Sequence, residues 1–426
     1  MRIRILFFSI YCMFAASACQ NEMHLITDAS YLAKVDSQFQ KQKALCRNKD
    51  SALFHVFNKS LSPFENEALK FLYAYMPLSD LADYDGEFYL KNIQSSAQAK
   101  LTMPWSEKIP ENIYRHFVLP IRVNTETLDT ARLVFYQALK DRVAGLSMEA
   151  AVLEVNHWCH EKVIYRSTDD RTSSPLNCVK TTFGRCGEES TLLVTALRSV
   201  GIPARQCYTP RWAHCDDNHA WVEAWVDGTW KYLGACEPEA ELNKGWFTGP
   251  SKRAMLVNTT VFGNYQGPEE VLEKTPWYTK INVLANYTKT KKIVVKVIDE
   301  QNQAIENANV AFKLYNYAEF YSLSNQLTDK NGFCNFETGL GDLLIWASKE
   351  DAYYYQKITV ANTDTLILSI AKKPVFISTF FTPPTDSYQE PKKANPNQAK
   401  LQQRLKQEDS LRANQLGTFP DSTQIK

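Results

Sequence analysis

The stretch from Gly184 to Pro238 constrains the fold of this chain most strongly, because a helix signal is followed there by a hairpin signal. Gly201 and Pro203 mark the end of the helix, as such residues commonly do. The apolar residues before them recur at helical spacing, at Leu192, Leu193, Ala196, Leu197 and Val200. Cys186 is therefore predicted at or near a helix N-terminus. Unpaired N–H groups and the helix dipole favour the thiolate there, which is the reactive form of cysteine.

His219 follows 33 positions after this cysteine and opens a run rich in apolar and aromatic residues. Asp227–Gly228 separates it from a second such run, which is a strong signal of a two-residue β-hairpin. We expect His219 to begin a strand. Val226 should stand opposite Thr229, and regular pairing would then place His219 opposite Cys236. A cysteine at a helix start and a histidine at a strand start form a nucleophile–base pair if the fold brings them within hydrogen-bonding reach.

The order GRCGE, amphipathic helix, GIPAR, HAWVE and Asp-Gly hairpin resembles the transglutaminase-like superfamily of papain-type cysteine enzymes. The GRCGE start and the core are also similar to those of peptide N-glycanases. The resemblance covers the segment from Thr130 to Pro250. It implies that Cys186 is the nucleophile and His219 the general base. It also implies that an aspartate on the next strand orients the histidine.

The sequence departs from the family at this aspartate. Counted from Trp230, the position is occupied by Gly234. Glu237 is the candidate third catalytic residue, although regular pairing would point its side chain to the other face of the sheet. Asp216 or Asp217, just before the histidine, are alternative orienting residues. A dyad completed by water is a further alternative.

The start of the chain has the features of an export signal. Arg2 and Arg4 precede a short apolar stretch, so residues 1–18 are interpreted as a lipoprotein signal peptide. Small residues before Cys19 resemble a bacterial lipobox, which implies cleavage before Cys19 and lipidation of its thiol. The alternative is an ordinary signal in which this cysteine is incidental. We expect a lipid-anchored protein of the bacterial cell envelope, facing the periplasm or the cell surface, with the membrane reached through Cys19.

The expected fold class is α+β. Residues 19–129 are predicted to be mainly helical, as a separate domain or as an elaboration of the next one. Residues 130–285 would form a papain-like transglutaminase core. Short β-rich runs within 286–375 predict a small β-sandwich, which resembles transthyretin-like or carboxypeptidase-regulatory modules. Residues 376–426 are polar and are predicted to be a disordered tail.

Three tryptophans, Trp212, Trp221 and Trp246, are candidate walls of a substrate cleft, with core packing as the alternative. The run from His157 to Glu161 contains two histidines and a cysteine but has no partner cluster. A helix is therefore expected there rather than a metal site. No metal or other cofactor is expected. The net charge of +1 gives no indication of a nucleic-acid partner.

These features together predict an exported cysteine hydrolase that acts on amide bonds of peptides or proteins through a Cys–His thioester mechanism. The resemblance to bacterial relatives of this core implies hydrolysis rather than acyl transfer. Two alternatives stay open. One is a catalytically inactive binding or scaffold protein, which the glycine in place of the family's aspartate favours. The other is a glycan-releasing amidase, which the similarity to N-glycanases favours.

Overall fold

The computed structural model describes residues 22–46, 50–169, 171–370, 379–386, 388–389 and 397–416. The expected signal peptide, residues 1–18, and the expected lipidation site, Cys19, lie outside these ranges and stay predictions. Within the described part of the chain, no helix is both long enough and apolar enough to cross a membrane.

The α-helices of the described chain are α1 (Ala29–Leu45), α2 (Asp50–Phe54), α3 (Pro63–Tyr75), α4 (Leu78–Asp83), α5 (Gly86–Thr102), α6 (Glu111–Phe117), α7 (Ala131–Val143), α8 (Met148–Lys162), α9 (Pro175–Thr181), α10 (Cys186–Ser199), α11 (Thr248–Ser251) and α12 (Gln398–Leu416). The strands are β1 (Ile164–Tyr165), β2 (Phe183–Gly184), β3 (Ala204–Thr209), β4 (His219–Val226), β5 (Thr229–Leu233), β6 (Asn258–Phe262), β7 (Val271–Lys274), β8 (Tyr278–Asn282), β9 (Lys291–Ile298), β10 (Asn309–Asn316), β11 (Glu319–Leu327), β12 (Phe333–Thr338), β13 (Asp342–Lys349), β14 (Ala352–Thr359) and β15 (Thr365–Ser369).

The N-terminal helices share a hydrophobic core with α10. Buried side chains from Leu25 to Leu242 belong to one contiguous cluster. Trp105 illustrates the connection, because its indole Nε1 donates a hydrogen bond of 3.0 Å to the carbonyl of Val200, just beyond α10. The N-terminal helices therefore elaborate the domain that holds Cys186, which was one of the two alternatives left open by the sequence.

A six-stranded antiparallel sheet supports the other side of α10. Its strand order is β5-β4-β3-β6-β8-β7. Strand β4 is buried along its whole length, because α10 packs on one face and an aromatic cluster that includes Phe247 and Tyr287 packs on the other. Arg205 and Glu223 form an ion pair of 2.7 Å inside the sheet, with both side chains 1% exposed. This pairing satisfies two charges that would otherwise be costly to bury.

Residues 291–369 form a β-sandwich. One sheet has the order β11-β10-β13-β14 and is antiparallel. The other has the order β12-β9-β15, in which β9 and β15 are parallel. Alternate residues point inward, and Val295, Phe312, Phe336 and Ile345 are fully buried between the sheets. The predicted α+β class, with a helical region before the core and a sandwich after it, is confirmed.

Part of the predicted disordered tail is ordered. Helix α12 packs against α8, where the carboxylate of Glu408 accepts hydrogen bonds of 2.8 Å from Nδ1 of both His157 and His160. Arg404 adds an ion pair of 2.8 Å to Glu154. The prediction of disorder is wrong for residues 397–416. The prediction rested on composition, because this segment has few apolar residues. Its charged residues are instead held by partners in α8, which is distant in the sequence.

Candidate active site

Cys186 is the first residue of α10, as predicted. Glu188 accepts a hydrogen bond of 2.7 Å from the backbone N–H of the N-cap residue, which closes a capping box. The backbone N–H groups of Gly187 and Ala220 lie near the sulfur of Cys186 and favour its thiolate form. The Ala220 contact joins the start of the helix to the start of β4. His219, the residue before Ala220, is thereby brought to the same corner of the domain.

His219 opens β4, also as predicted, and is only 8% exposed. Its imidazole packs among aromatic rings, with centroid distances of 5.7 Å to Trp221, 4.6 Å to Trp246 and 5.1 Å to Phe247. The Nε2 atom is buried and has no hydrogen-bond partner within the described chain. Nδ1, the other nitrogen of the ring, is not among the buried atoms of the described residues that lack a partner.

Burial determines the resting protonation states of this pair. Loss of solvation raises the pKa of the Cys186 thiol, and the two backbone N–H groups offset this only in part. Loss of solvation lowers the pKa of His219 to about 4. Both groups are therefore neutral near pH 7. The resting state therefore has a neutral thiol and a neutral imidazole rather than a thiolate and an imidazolium.

The predicted hairpin forms with the expected register at its turn. Val226 stands opposite Thr229. Asp227 and Gly228 both have positive φ, at +47° and +99°, as a type I′ turn requires. Strand β5 then ends at Leu233, three residues short of the predicted pairing of the histidine with Cys236.

Asn156 of α8 explains why the strand ends early. Its Nδ2 donates to the carbonyl of Gly234 at 2.8 Å, and its Oδ1 accepts from the N–H of Cys236 at 2.9 Å. These bonds replace the sheet pairing and turn the chain, so that Cys236 adopts a φ of +57°. The prediction that His219 pairs with Cys236 is therefore wrong.

Glu237 folds back over the glycine that replaces the family's aspartate. A Cβ atom placed on Gly234 would lie 2.6 Å from Oε2 of Glu237. The carboxyl group also accepts a hydrogen bond from Trp246, and burial raises the pKa of Glu237 to about 7. The ring of Trp246 is the one that lies 4.6 Å from His219. The ring of Trp246 therefore lies between the carboxyl group of Glu237 and the imidazole of His219.

The alternative orienting residues have other partners. Asp216 accepts a hydrogen bond of 2.8 Å from the backbone N–H of Tyr317 in the sandwich. Asp217 accepts one of 2.8 Å from the N–H of Asn218. Neither aspartate is hydrogen-bonded to His219. Burial alone shifts the pKa of that ring, so in the described chain no carboxylate directly supports it.

Two of the three tryptophans predicted to line the cleft are core residues. Trp212 is 1% exposed and Trp221 is 0% exposed. The indole Nε1 of Trp221 donates to the hydroxyl of Tyr287 at 2.8 Å, which satisfies its polar atom and permits full burial. The cleft-wall prediction is therefore wrong for Trp212 and Trp221. Trp246 is 56% exposed and lines a hollow of about 390 Å³.

A groove of about 820 Å³ includes Cys186 in its lining. This volume is in the range of known ligand sites. Thr172, from the loop between β1 and α9, also lines it. The other walls come from distant segments without a local motif, and include Asn124, Gln206, Tyr208, Asn258, Trp277 and Tyr278. No local sequence pattern marks any of these six residues as part of a site.

A buried carboxyl group near the cysteine was also missed. Glu189 is 3% exposed, and its Oε1 has no hydrogen-bond partner in the described chain. Burial, followed by the nearby Glu237, raises its pKa well above the usual range. The run from His157 to Glu161 belongs to helix α8, as expected. Among the described residues, no three His, Cys, Asp or Glu side chains are grouped so that they could hold a metal ion.

Comparison with known proteins identifies this region. Residues 137–235 match the family model of the transglutaminase-like superfamily. Similar solved structures include a proposed cysteine protease from Cytophaga hutchinsonii (22% identity, TM-score 0.23), a proposed protease from Parabacteroides distasonis (13%, 0.25) and red sea bream transglutaminase (10%, 0.30). The matched parts are 27%, 51% and 60% of this chain, and 40%, 36% and 65% of those chains. The chain thus spans less than two thirds of each of them. No curated protein matches the sequence. Residues 137–235, which hold both Cys186 and His219, form a transglutaminase-like domain.

Proposed function

We propose that this protein is an exported, lipid-anchored cysteine hydrolase that cleaves amide bonds of peptides or proteins. The observation that carries the proposal is the contact between the start of α10, at Cys186, and the start of β4, where the Ala220 N–H lies near the Cys186 sulfur. It holds the start of the helix against the start of the strand that bears His219, beside a groove large enough for a peptide segment. Export and lipidation at Cys19 rest on the sequence of residues 1–19.

The reaction begins from the neutral pair. Nδ1 of His219 takes the thiol proton as the Cys186 sulfur attacks the amide carbonyl, which forms the C–S bond. N–H groups at the start of α10 stabilise the negative charge on the carbonyl oxygen. The imidazolium then returns the proton to the leaving amine as the C–N bond breaks. Water, deprotonated by the same imidazole, hydrolyses the thioester and regenerates the thiol.

A non-catalytic binding protein is the second candidate. It is favoured by the His219 ring, whose Nε2 is buried without a partner and which has no carboxylate beside it in the described chain. In the serine-protease triad, loss of correct orientation of the histidine lowers the rate by about ten-thousand-fold. A dyad without an orienting group would therefore be slow, or it would serve only to shape a binding groove.

The alkylation of Cys186 by iodoacetamide separates the two candidates without a known substrate. The rate is measured from pH 5 to 10 by peptide mass spectrometry in the wild type and in His219→Ala. The exposed thiol of Cys215 provides an internal reference in the same sample. If His219 acts as a base, we expect the wild type to react about tenfold or more faster at pH 7. The two proteins should converge near pH 10, where hydroxide removes the proton. Equal rates at pH 7 would rule out the catalytic function and favour binding.

A further inference from the structure

The loop that leads into His219 is held in part from outside the domain. Residues 210–218 connect β3 to β4 and have no regular secondary structure. Within the loop, the Trp212 N–H donates to the Asp217 carbonyl at 2.9 Å, and the Asp217 N–H donates to the Cys215 carbonyl at 3.0 Å. Cys215 and Asp217 are themselves exposed to solvent. Two such bonds leave much of a nine-residue segment to be fixed by other contacts.

The tip of the β10–β11 hairpin of the sandwich supplies those contacts. Tyr317 and Ala318 have φ of +51° and +57°, so the strands are joined by a tight turn of the type I′ kind. Asn316, at the end of β10, is 3% exposed. Its Nδ2 donates to the carbonyl of Trp212 at 2.8 Å and to that of Cys215 at 2.7 Å. One amide group therefore fixes two points of the loop.

Further contacts surround this amide. The backbone N–H of Tyr317 donates to Oδ1 of Asp216 at 2.8 Å. Arg211 pairs with Glu319 at 3.2 Å, and its guanidinium lies 5.2 Å from the ring of Tyr317 and 4.4 Å from that of Tyr321. The exposed ion pair contributes little, whereas the two aromatic contacts hold the guanidinium in place.

The anchored loop is connected to the imidazole in two ways. It ends at His219 itself, so a shift of its backbone moves the start of β4. The ring of Trp212 also stacks on Trp221, with centroids 6.2 Å apart and planes at 3°, and Trp221 stacks on His219 at 5.7 Å. In the absence of a carboxylate beside the ring, packing of this kind determines where Nδ1 points.

We propose that the β10–β11 hairpin positions the catalytic histidine, with Asn316 as the positioning residue. This inference rests on the proposed function and gives the sandwich a part in the reaction, beyond that of a spacer or a binding module. The chemistry of the contact requires an amide at this position. A carboxylate of the same shape would face two carbonyl oxygens with no proton to donate, and it would push the loop away.

The test compares Asn316→Asp and Asn316→Ala with the wild type and with His219→Ala in the alkylation assay. Asn325→Ala, on the exposed side of β11, is the matched control. We expect both Asn316 variants to react about tenfold or more slowly at pH 7, since misplacement of a catalytic group by about 1 Å can cost a hundredfold. Near pH 10, where the base is not needed, they should react like the wild type. The control should follow the wild type throughout.

Three outcomes would overturn the inference. The first is a wild-type alkylation rate in both Asn316 variants at every pH. The second is a rate that falls by the same factor at every pH, which would indicate only a change in access to the thiol. The third is an equal fall in the rate of the Asn325→Ala control. If the Asn316 variants do not fold, Asp216→Ala decides. It removes one exposed hydrogen bond between the loop and the hairpin and should slow the reaction about fivefold at pH 7 only. Failure of the proposed function is distinct, because the wild type would then already match His219→Ala.

Discussion

Glycine at position 234 is required by the way Glu237 packs, and we expect a single added methyl group to destabilise the protein. The Cβ atom of an alanine there would lie 2.6 Å from Oε2 and 3.2 Å from Cβ of Glu237. The oxygen could move away, but the carboxyl group would lose its hydrogen bond from Trp246. The Cβ of Glu237 moves only with its backbone, and Asn156 holds the turn just before it.

The magnitude follows from these two contacts. Overpacking of this kind costs about 1–3 kcal/mol, and a hydrogen bond to a carboxyl group that burial keeps largely protonated contributes about 0.5–1.5 kcal/mol. The turn relaxes partly, so we expect Gly234→Ala to lower the free energy of unfolding by about 2 kcal/mol. In a Glu237→Ala background the carboxyl group is absent but the Cβ atom of residue 237 remains, so the same change should cost less, about 1 kcal/mol.

Urea denaturation of the four proteins of this double-mutant cycle measures the coupling. Gly145→Ala is the control, because a Cβ atom there has no neighbour within 4 Å. Equal losses from Gly234→Ala with and without Glu237 would refute the reasoning, as would a loss no larger than that of the control. For the same reason, Gly234→Asp should not rebuild the family's triad while Glu237 is present.

Three further predictions concern groups around the site. Asn156→Ala should lower the free energy of unfolding by about 2–4 kcal/mol, because it leaves two buried backbone groups unpaired; an unchanged urea midpoint would contradict this. The pKa of Glu237 is raised to about 7. The folded state therefore gains stability from this group below its usual pKa of 4.5 and loses it as the pH rises through 7. Relative to Glu237→Gln, the wild type should lose about 1–3 kcal/mol between pH 4.5 and 8, and a constant difference would refute this. The pKa of Glu408 is lowered to about 2, despite its burial, by hydrogen bonds from two histidines. Glu408→Gln should therefore cost about 2 kcal/mol at pH 7, and the difference should shrink as the pH falls below 4.5; a difference that persists at pH 3 would contradict it.

The pair of residues proposed for catalysis was predictable because each is marked by a local signal. Apolar spacing followed by Gly201 places Cys186 at a helix start, and Asp227–Gly228 places His219 at a strand start. Both signals depend on residues within about one element length, where backbone geometry dictates the pattern. The fold class followed from the same kind of evidence, summed along the chain.

The surroundings of that pair were not predictable in the same way. The hairpin should have continued to Cys236, but Asn156 stops it from 78 residues upstream of Gly234. Trp212 and Trp221 are aromatic, as residues of a cleft wall often are, yet a cluster that includes Phe247 and Tyr287 buries them. No local sequence pattern indicates which side chain from a distant part of the sequence will donate a hydrogen bond to a given backbone group.

The sequence by itself therefore determined which elements begin at Cys186 and His219, because the helix period and the turn chemistry are properties of neighbouring residues. Only the tertiary structure decided the environment of the two side chains. Burial keeps both neutral, Glu237 fills the space over Gly234, and Asn316 holds the histidine loop from 104 residues beyond Trp212. Solvation and hydrogen bonding depend on which atoms are close in space, and packing brings those atoms together from distant parts of the chain.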